Sequence, residues 1–484
     1  MLVVVAALAR CIVVLGWGDQ YFDADQAVVG LMASHLAEGR AFPVFQYGAP
    51  YVLMIEAWLT APLMLIDHAS VTLVKVVPVA LNLVTSGLLY WMLSGAGLRA
   101  AQALIATLPF ALVGVGATSE LTAALGMSIE PLLFALVIWL LRERPVALGI
   151  VSAIAIKNRE FAVYAVAALL TLDLVRDRSA ALWRPRILTT VAFALTWSAV
   201  GVLVQYGAPM GPGTNPMLAA GGSGDNTAVA AAAICFVPEM IPGDAKIVVS
   251  ELLPFLYGVR SARWLDSGHQ GNAPPDASWL WVPLVLLLGA GAGRGLLGAW
   301  RHGPTPVTWL ALFLIANGLQ AVIVYASTRC GHASLFTLRY MLLALFIPVG
   351  AVALSLDREP RPLVRRLIAG ACLLWMAVCA AGHVGTIRGF VADPPISRYR
   401  RLATYLDQHG AEYVEADYWI GYHVAFLTGE RVKAITDFTR IHEHTLAVSA
   451  HLDRTWRVTR RPQTDCDDVA MVGDLYVCPP EARR

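Results

Sequence analysis

The sequence predicts an all-α polytopic membrane protein of about eleven transmembrane helices, followed by a small C-terminal extracytoplasmic α/β domain. Three observations carry this prediction. Of 484 residues, 57% are hydrophobic and 14% are charged, where a soluble protein carries about 25% charged. Apolar stretches near the length needed to cross ~30 Å of hydrocarbon recur along the chain. From about Pro394 the sequence turns polar and alternates between helical and strand periods, as an α/β domain does. Residues 1–390 are accordingly read as the membrane part and 391–484 as the tail domain.

The apolar stretches fall at 2–17, 70–93, 99–117, 122–141, 146–157, 160–175, 187–204, 279–298, 306–325, 335–355 and 364–384. The first has the length of a secretory leader but lacks its basic start and small-residue cleavage site. It is therefore read as an uncleaved span, with Arg10 inside it at a cost of ~3 kcal/mol at mid-bilayer. The pair 146–157 and 160–175 is short enough to be two half-helices, with a turn buried in protein.

Orientation follows from the cytoplasmic excess of Lys and Arg. With the first loop outside, every inner loop is basic: Arg99; Arg142 and Arg144; Arg176, Arg178, Arg184 and Arg186; Arg294 and Arg301; and Arg358, Arg361, Arg365 and Arg366. Segments 18–69, 205–278 and 385–484 then lie outside. In the tail, helices at 397–408, 418–428 and 440–452 alternate with strands at 412–416 and 431–434, and two or three strands follow. Cys466 and Cys478 flank the last apolar strand and are either a disulfide of an oxidising compartment or two free thiols. No internal repeat is present.

Several classes of function are excluded. A net charge of +2 from 36 basic and 34 acidic residues carries little information by itself, since nucleic-acid binders show a concentrated basic face; no nucleic-acid partner is expected. The seven cysteines follow no zinc spacing. The run Gly221–Gly224 lacks the strand and helix that frame a phosphate-binding loop.

Ionisable groups instead gather at one depth. The first outer loop opens with Asp23 and Asp25, then an amphipathic helix over 26–37. Asp25 also stands where a helix N-cap would, a role worth about 1 kcal/mol. Glu56 lies in an apolar segment, 49–65, that reads as an interfacial helix; snorkelling to the headgroups is the alternative. Glu130 sits inside the span 122–141, where an acid marks a site or a helix-to-helix pair. Lys157, Arg159 and Arg339 are cations near the outer surface, suited to a lipid phosphate or to ion pairs with Glu130 or Glu160.

The runs Asp23-Ala24-Asp25-Gln26-Ala27, Phe42-Pro43-Val44-Phe45-Gln46-Tyr47-Gly48-Ala49-Pro50-Tyr51 and Glu56-Ala57 resemble the first outer loop of bacterial GT-C glycosyltransferases. These are the membrane enzymes related to protein O-mannosyltransferases and the lipid A aminoarabinose transferase. Weaker matches are Ile129-Glu130-Pro131-Leu132-Leu133-Phe134, Leu338-Arg339-Tyr340, Ala416-Asp417-Tyr418-Trp419 and Phe426-Leu427-Thr428-Gly429-Glu430.

The resemblance implies inverting transfer of a sugar from a polyprenyl-phosphate donor to a glycan, lipid or protein acceptor, outside a bacterial inner membrane. It places the catalytic acid on Asp25, with Asp23, Glu56 and Glu130 as supporting acids and Lys157, Arg159 and Arg339 on the donor phosphate. The family's Glu after the catalytic Asp is Gln26 here, so a role needing that second charge is not carried over. No cofactor is required on this reading, though a divalent cation can bridge phosphate and carboxylates. A transporter or lipid flippase also carries intramembrane acids and broken helices, but paired halves are missing here. A non-catalytic glycan-assembly partner, with Asp25 a simple cap, is the third reading.

Overall fold

The computed structural model describes residues 1–176, 183–203, 211–212, 235–260, 277–328, 333–357, 359–462 and 466–480. Each of the eleven apolar stretches carries helix, but their lengths differ. Among the described residues six helices are long and apolar enough to cross a membrane: Val71–Gly95, Arg184–Leu203, Ser278–His302, Pro306–Thr328, Leu335–Asp357 and Pro362–Ala392. Ala100–Ala111 with Val115–Leu121 makes a seventh if its 82° bend lies within one span. Leu2–Gly16, Glu130–Leu140 and Pro145–Asn158 are apolar but short. Helices of full crossing length thus account for six or seven of the eleven expected crossings among the described residues, and the other stretches carry shorter or broken helices, because hydropathy alone does not register where a helix breaks.

Two breaks have visible causes. Gly114 begins the second half of the bent pair, and a Cβ there would lie 2.6 Å from the Gly258 Cα, so only glycine allows the two backbones to meet. Further on, the expected helix 122–141 starts only at Glu130, because residues 122–129 turn instead, with Gly126 at a φ of 65°. Glu130 is therefore the first residue of its helix. The expected half-helices are Pro145–Asn158 and Val163–Arg176, joined by a 3-10 turn at Glu160–Ala162.

The long loop 205–278 is not wholly peripheral. Its helical turns at Ile241–Ile247 and Leu253–Leu256 lead to Tyr257. That tyrosine donates to the Ala344 carbonyl (2.9 Å), and its own carbonyl accepts from Trp375 Nε1 (2.7 Å). The Gly221–Gly224 run lies outside the described residues.

In the first outer loop, Ala24–Ala37 is helical, but buried on nearly all sides where an amphipathic helix was expected. The interfacial helix expected over 49–65 is divided: Phe45–Gln46 and Ala49–Leu53 form an antiparallel hairpin, and the helix is Ile55–Met64.

The tail supplies the missing cover for Ala24–Ala37. Its sheet runs Lys433–Ile435, Tyr413–Glu415, Thr455–Thr459, Leu475–Cys478, Ala470–Val472, the first three strands parallel and the rest antiparallel. Helices Arg398–Gln408, Tyr418–Leu427 and His442–Ser449 connect it, and Cys466 is disulfide-bonded to Cys478. Helix Tyr418–Leu427 shares one core with the outer loop: Tyr418, Tyr422, Ala425 and Phe426 pack with Phe22, Ala27, Leu31 and Tyr47. A Cβ on Gly30 would lie 2.5 Å from the Phe426 ring, so glycine sets the approach.

A buried ionic knot locks the same interface. Glu430 Oε1 accepts from His35 Nε2 (2.9 Å) and His444 Nε2 (2.6 Å), and Oε2 pairs with Arg40. Tyr47 Oη lies 3.0 Å from His35 Nδ1, which fits the tautomer with Nε2–H aimed at Glu430. Glu430 has a φ of 60°, a left-handed strain of order 1–3 kcal/mol that the three partners hold in place.

Burial alone would raise the Glu430 carboxyl, but hydrogen bonds and charge from His35 and His444 hold it well below the ordinary range. A depressed folded value gives the docked tail stability that is full above the ordinary carboxylate range and is lost only as pH falls to the depressed value itself. Limited proteolysis of the tail is therefore expected to separate wild type from Glu430→Gln most at neutral pH. The two should draw together only well below about pH 4, where the folded carboxyl itself takes a proton; a constant difference across pH contradicts this account.

Candidate active site

Asp23, the first acid of the outer loop, is the true N-cap of Ala24–Ala37, accepting from the Gln26 N–H at 2.9 Å. This corrects the expectation that Asp25 stands at the cap. Asp25 lies in the first turn with its carboxylate released for other partners, and the helix N-terminus favours its negative charge. Burial, and then the neighbouring Asp25, push the Asp23 carboxyl above its ordinary range.

Two side chains from distant parts of the chain meet Asp25. Tyr418 of the tail donates its O–H to Oδ1 at 2.6 Å. Arg339, from the 3-10 segment Leu335–Leu345, brings Nη1 to 3.5 Å from Oδ2. That is an ion pair, but longer than a hydrogen bond. Asp25 and Arg339 keep 16% and 13% of their side chains exposed, so the pair is sheltered yet reachable. The guanidinium lies over the Phe336 and Tyr340 rings, and its buried Nε has no hydrogen-bond partner. Among the described residues Asp25 is its one ion-pair partner.

A second group of predicted residues surrounds the turn 122–129. Glu56 Oε2 accepts from the Gly126 N–H (2.6 Å), and Glu130 Oε2 accepts from the Ser128 N–H (3.2 Å). The other oxygen of each carboxyl, Oε1, is buried with no hydrogen-bond partner, and the two groups act on each other by charge. Burial, and then Glu130, push Glu56 well above the ordinary range. Arg159 Nη2 reaches the Leu125 carbonyl at 3.4 Å and acts on Glu130 by charge. Lys157 lies with Nζ 3.9 Å from the centre of the Trp197 ring.

Lys75 joins the two groups. It is fully buried and donates to the carbonyls of Tyr21 (2.7 Å) and Thr122 (3.2 Å) and to Gln26 Oε1. The same Gln26 oxygen accepts the Ala124 N–H at 3.1 Å. The neutral amide beside Asp25 thus anchors the 122–126 turn to the outer loop. Glu120 acts by charge on both Arg339 and Lys75.

Sequence reasoning passed over Lys75, although it is an ionisable group in the predicted span 70–93, the criterion that selected Glu130. It also assigned no role to Glu120 or Tyr418; a contact across 393 residues leaves no local signal. Among the described residues no three His, Cys, Asp or Glu side chains are grouped to hold a metal.

No family model matches the chain, and no curated protein matches it by sequence. Solved structures do. ArnT from Cupriavidus metallidurans bound to undecaprenyl phosphate is similar over 99% of this chain and 97% of its own, with a TM-score of 0.60 at 12% identity. Its apo state gives 0.59 at 11% identity, over 98% and 97%. The archaeal oligosaccharyltransferase AglB from Archaeoglobus fulgidus, in complex with an inhibitory peptide and a dolichol-phosphate, gives 0.51 at 12% identity, over 94% of this chain and 68% of AglB. At these identities the likeness is one of fold. The chain shares the fold of the two ArnT structures over nearly its whole length, the fold that the resemblance of its motifs implies.

The Glu56 geometry generates a test. Glu56→Gln keeps nearly the same volume and an acceptor for the Gly126 N–H. Glu56→Ala strands the Gly126 N–H and opens a cavity, a loss of about 2–4 kcal/mol. Thermal unfolding in detergent is expected to leave the Gln protein near wild type and the Ala protein several degrees lower; equal losses contradict a loop-holding role.

Proposed function

We propose that this protein is an inverting glycosyltransferase that moves a sugar from a polyprenyl-phosphate donor to an acceptor at the extracytoplasmic face of a bacterial inner membrane. The observation that carries the reading is the Asp25–Arg339 pair, 3.5 Å apart in a chain folded end to end like a structure that holds undecaprenyl phosphate. The Cys466–Cys478 bond supports an oxidising surrounding for the tail, in agreement with the basic inner loops. The tail domain from about residue 391 then stands outside.

The chemistry follows from what each group can do. An acceptor hydroxyl is a weak nucleophile, and Asp25 takes its proton as the oxygen attacks the anomeric carbon. The bond from that carbon to the phosphate oxygen breaks on the opposite face, which inverts the configuration without a covalent intermediate. The electron pair stays on the phosphate, whose added charge Arg339 stabilises with donors already buried and oriented. Arg159 lies on the 122–129 turn, and Lys157 lies over the Trp197 ring. We assign Arg159 to that turn and the donor phosphate chiefly to Arg339. Glu56 and Glu130 hold the floor beneath the sugar, and Asp23 fixes the start of the helix that presents Asp25.

Incubating purified protein with a panel of polyprenyl-phosphate sugars and acceptors, with mass analysis of products, tests this reading. Asp25→Asn keeps shape and hydrogen bonding but not basicity, so transfer is expected to fall about 10²–10⁴-fold; full activity in that variant overturns the assignment. Because Arg339 supplies the charge on the phosphate, transfer is also expected to persist in EDTA. Loss in EDTA with recovery on adding Mg²⁺ or Mn²⁺ moves that role to a metal.

A further inference from the structure

The two partners of Asp25 differ in a way that suggests separate duties. Tyr418 fills Oδ1 at 2.6 Å, the short distance of a hydrogen bond to a charged acceptor. Arg339 faces Oδ2 only loosely, at 3.5 Å. We propose that Tyr418 is a positioning residue for Asp25, so that the tail completes the active site: Tyr418 holds Oδ1 throughout, while Arg339 leaves Oδ2 for the donor phosphate. This inference rests on the reading of Asp25 as the base.

Tyr418 is built to stay where it is. The residue is 7% exposed, and its ring meets those of Trp419, Tyr422 and Phe438 at 5.2, 5.3 and 5.8 Å. Its backbone N–H donates to Asp437 Oδ1 at 2.8 Å, and Asp417 caps its helix by accepting the Ile420 N–H at 3.0 Å. Gly30, Phe426 and the Glu430 knot press that helix onto the one that carries Asp25. Burial, and then the charge of Asp25, push the phenol above its ordinary range, so it remains a donor and does not compete for the proton.

Arg339 is held to Asp25 loosely enough to turn to an incoming phosphate. A phosphate offers its buried guanidinium oxygen acceptors in a bidentate geometry, which a carboxylate oxygen at 3.5 Å does not. When the donor arrives, the guanidinium moves to the phosphate and Oδ2 is left open. The acceptor O–H then gives its proton to Oδ2, the new C–O bond forms at the anomeric carbon, and the C–O bond to phosphate breaks with its electrons on phosphate. A base held on one oxygen and free on the other keeps its angle to the acceptor, and orientation of this kind governs rate more than binding. The tail then acts as part of the catalytic site, and its docking sets the base.

Tyr418→Phe tests this, because it retains the ring and removes only the hydroxyl. Two readouts are needed. In transfer assays kcat is expected to fall at least about tenfold, with the donor KM within about twofold. Without any substrate, carbodiimide labelling of Asp25 at one fixed pH, followed by mass analysis, is expected to speed up by about threefold or more as Oδ1 loses its partner. If kcat and the labelling rate stay fixed while only heat or protease resistance falls, Tyr418 is a structural rivet and the inference is overturned. If the labelling rate rises but wild type transfers no sugar from any donor, Tyr418 keeps its hold on Asp25 and it is the glycosyltransferase reading that fails.

Discussion

A chain that leaves helical geometry inside a membrane protein must still satisfy every backbone N–H and C=O, and that constraint organises this molecule. Between Phe110 and Glu130 the backbone bends by 82° and then turns without helix. The groups set free are met one by one by buried side chains. Arg10 donates to the Phe110 carbonyl, His383 lies on that of Val113, Asn82 on Leu121, Lys75 on Thr122, Arg159 on Leu125 and Asn158 on Gly126. Gln26 and Glu56 accept the N–H groups of Ala124 and Gly126. Charged residues that would be expensive in hydrocarbon are stable here because the broken backbone supplies their partners.

The same constraint fixes the site. Gln26 and Lys75 tie the turn to the outer loop, so the helix that presents Asp25 is registered against the membrane part by the residue next to it. Arg339 comes from a span whose first turns are wound as a 3-10 helix, and the Phe161 and Tyr340 rings, 5.6 Å apart, pack against the turn from above. The tail closes the outer side through Tyr418, so that first loop, span and tail converge on one carboxylate.

Much of this was legible in the sequence, and the limits have physical reasons. The apolar stretches, the basic inner loops and the tail's alternation each follow from local composition, and tail helices 397–408 and 418–428 appear as Arg398–Gln408 and Tyr418–Leu427. Asp25 and Arg339, read separately as acid and cation, prove to be neighbours. Helix breaks were not legible, because Gly114 acts through a contact with Gly258 that only the folded chain creates. The cap was assigned to Asp25 because Asp23 and Asp25 are equally good capping residues; register decided for Asp23. Arg159 and Glu56 looked like ligand groups, and the structure gives each a backbone group to hold. The burial of Ala24–Ala37 on all sides could not be read locally, since its cover arrives almost 400 residues later.

The central claim is that Arg339, beside Asp25, receives a lipid phosphate. Native mass spectrometry of the purified protein with undecaprenyl phosphate tests it most directly. The account predicts a bound lipid that wild type and Asp25→Asn retain, and that Arg339→Ala loses at least tenfold. Equal retention by Arg339→Ala would contradict it.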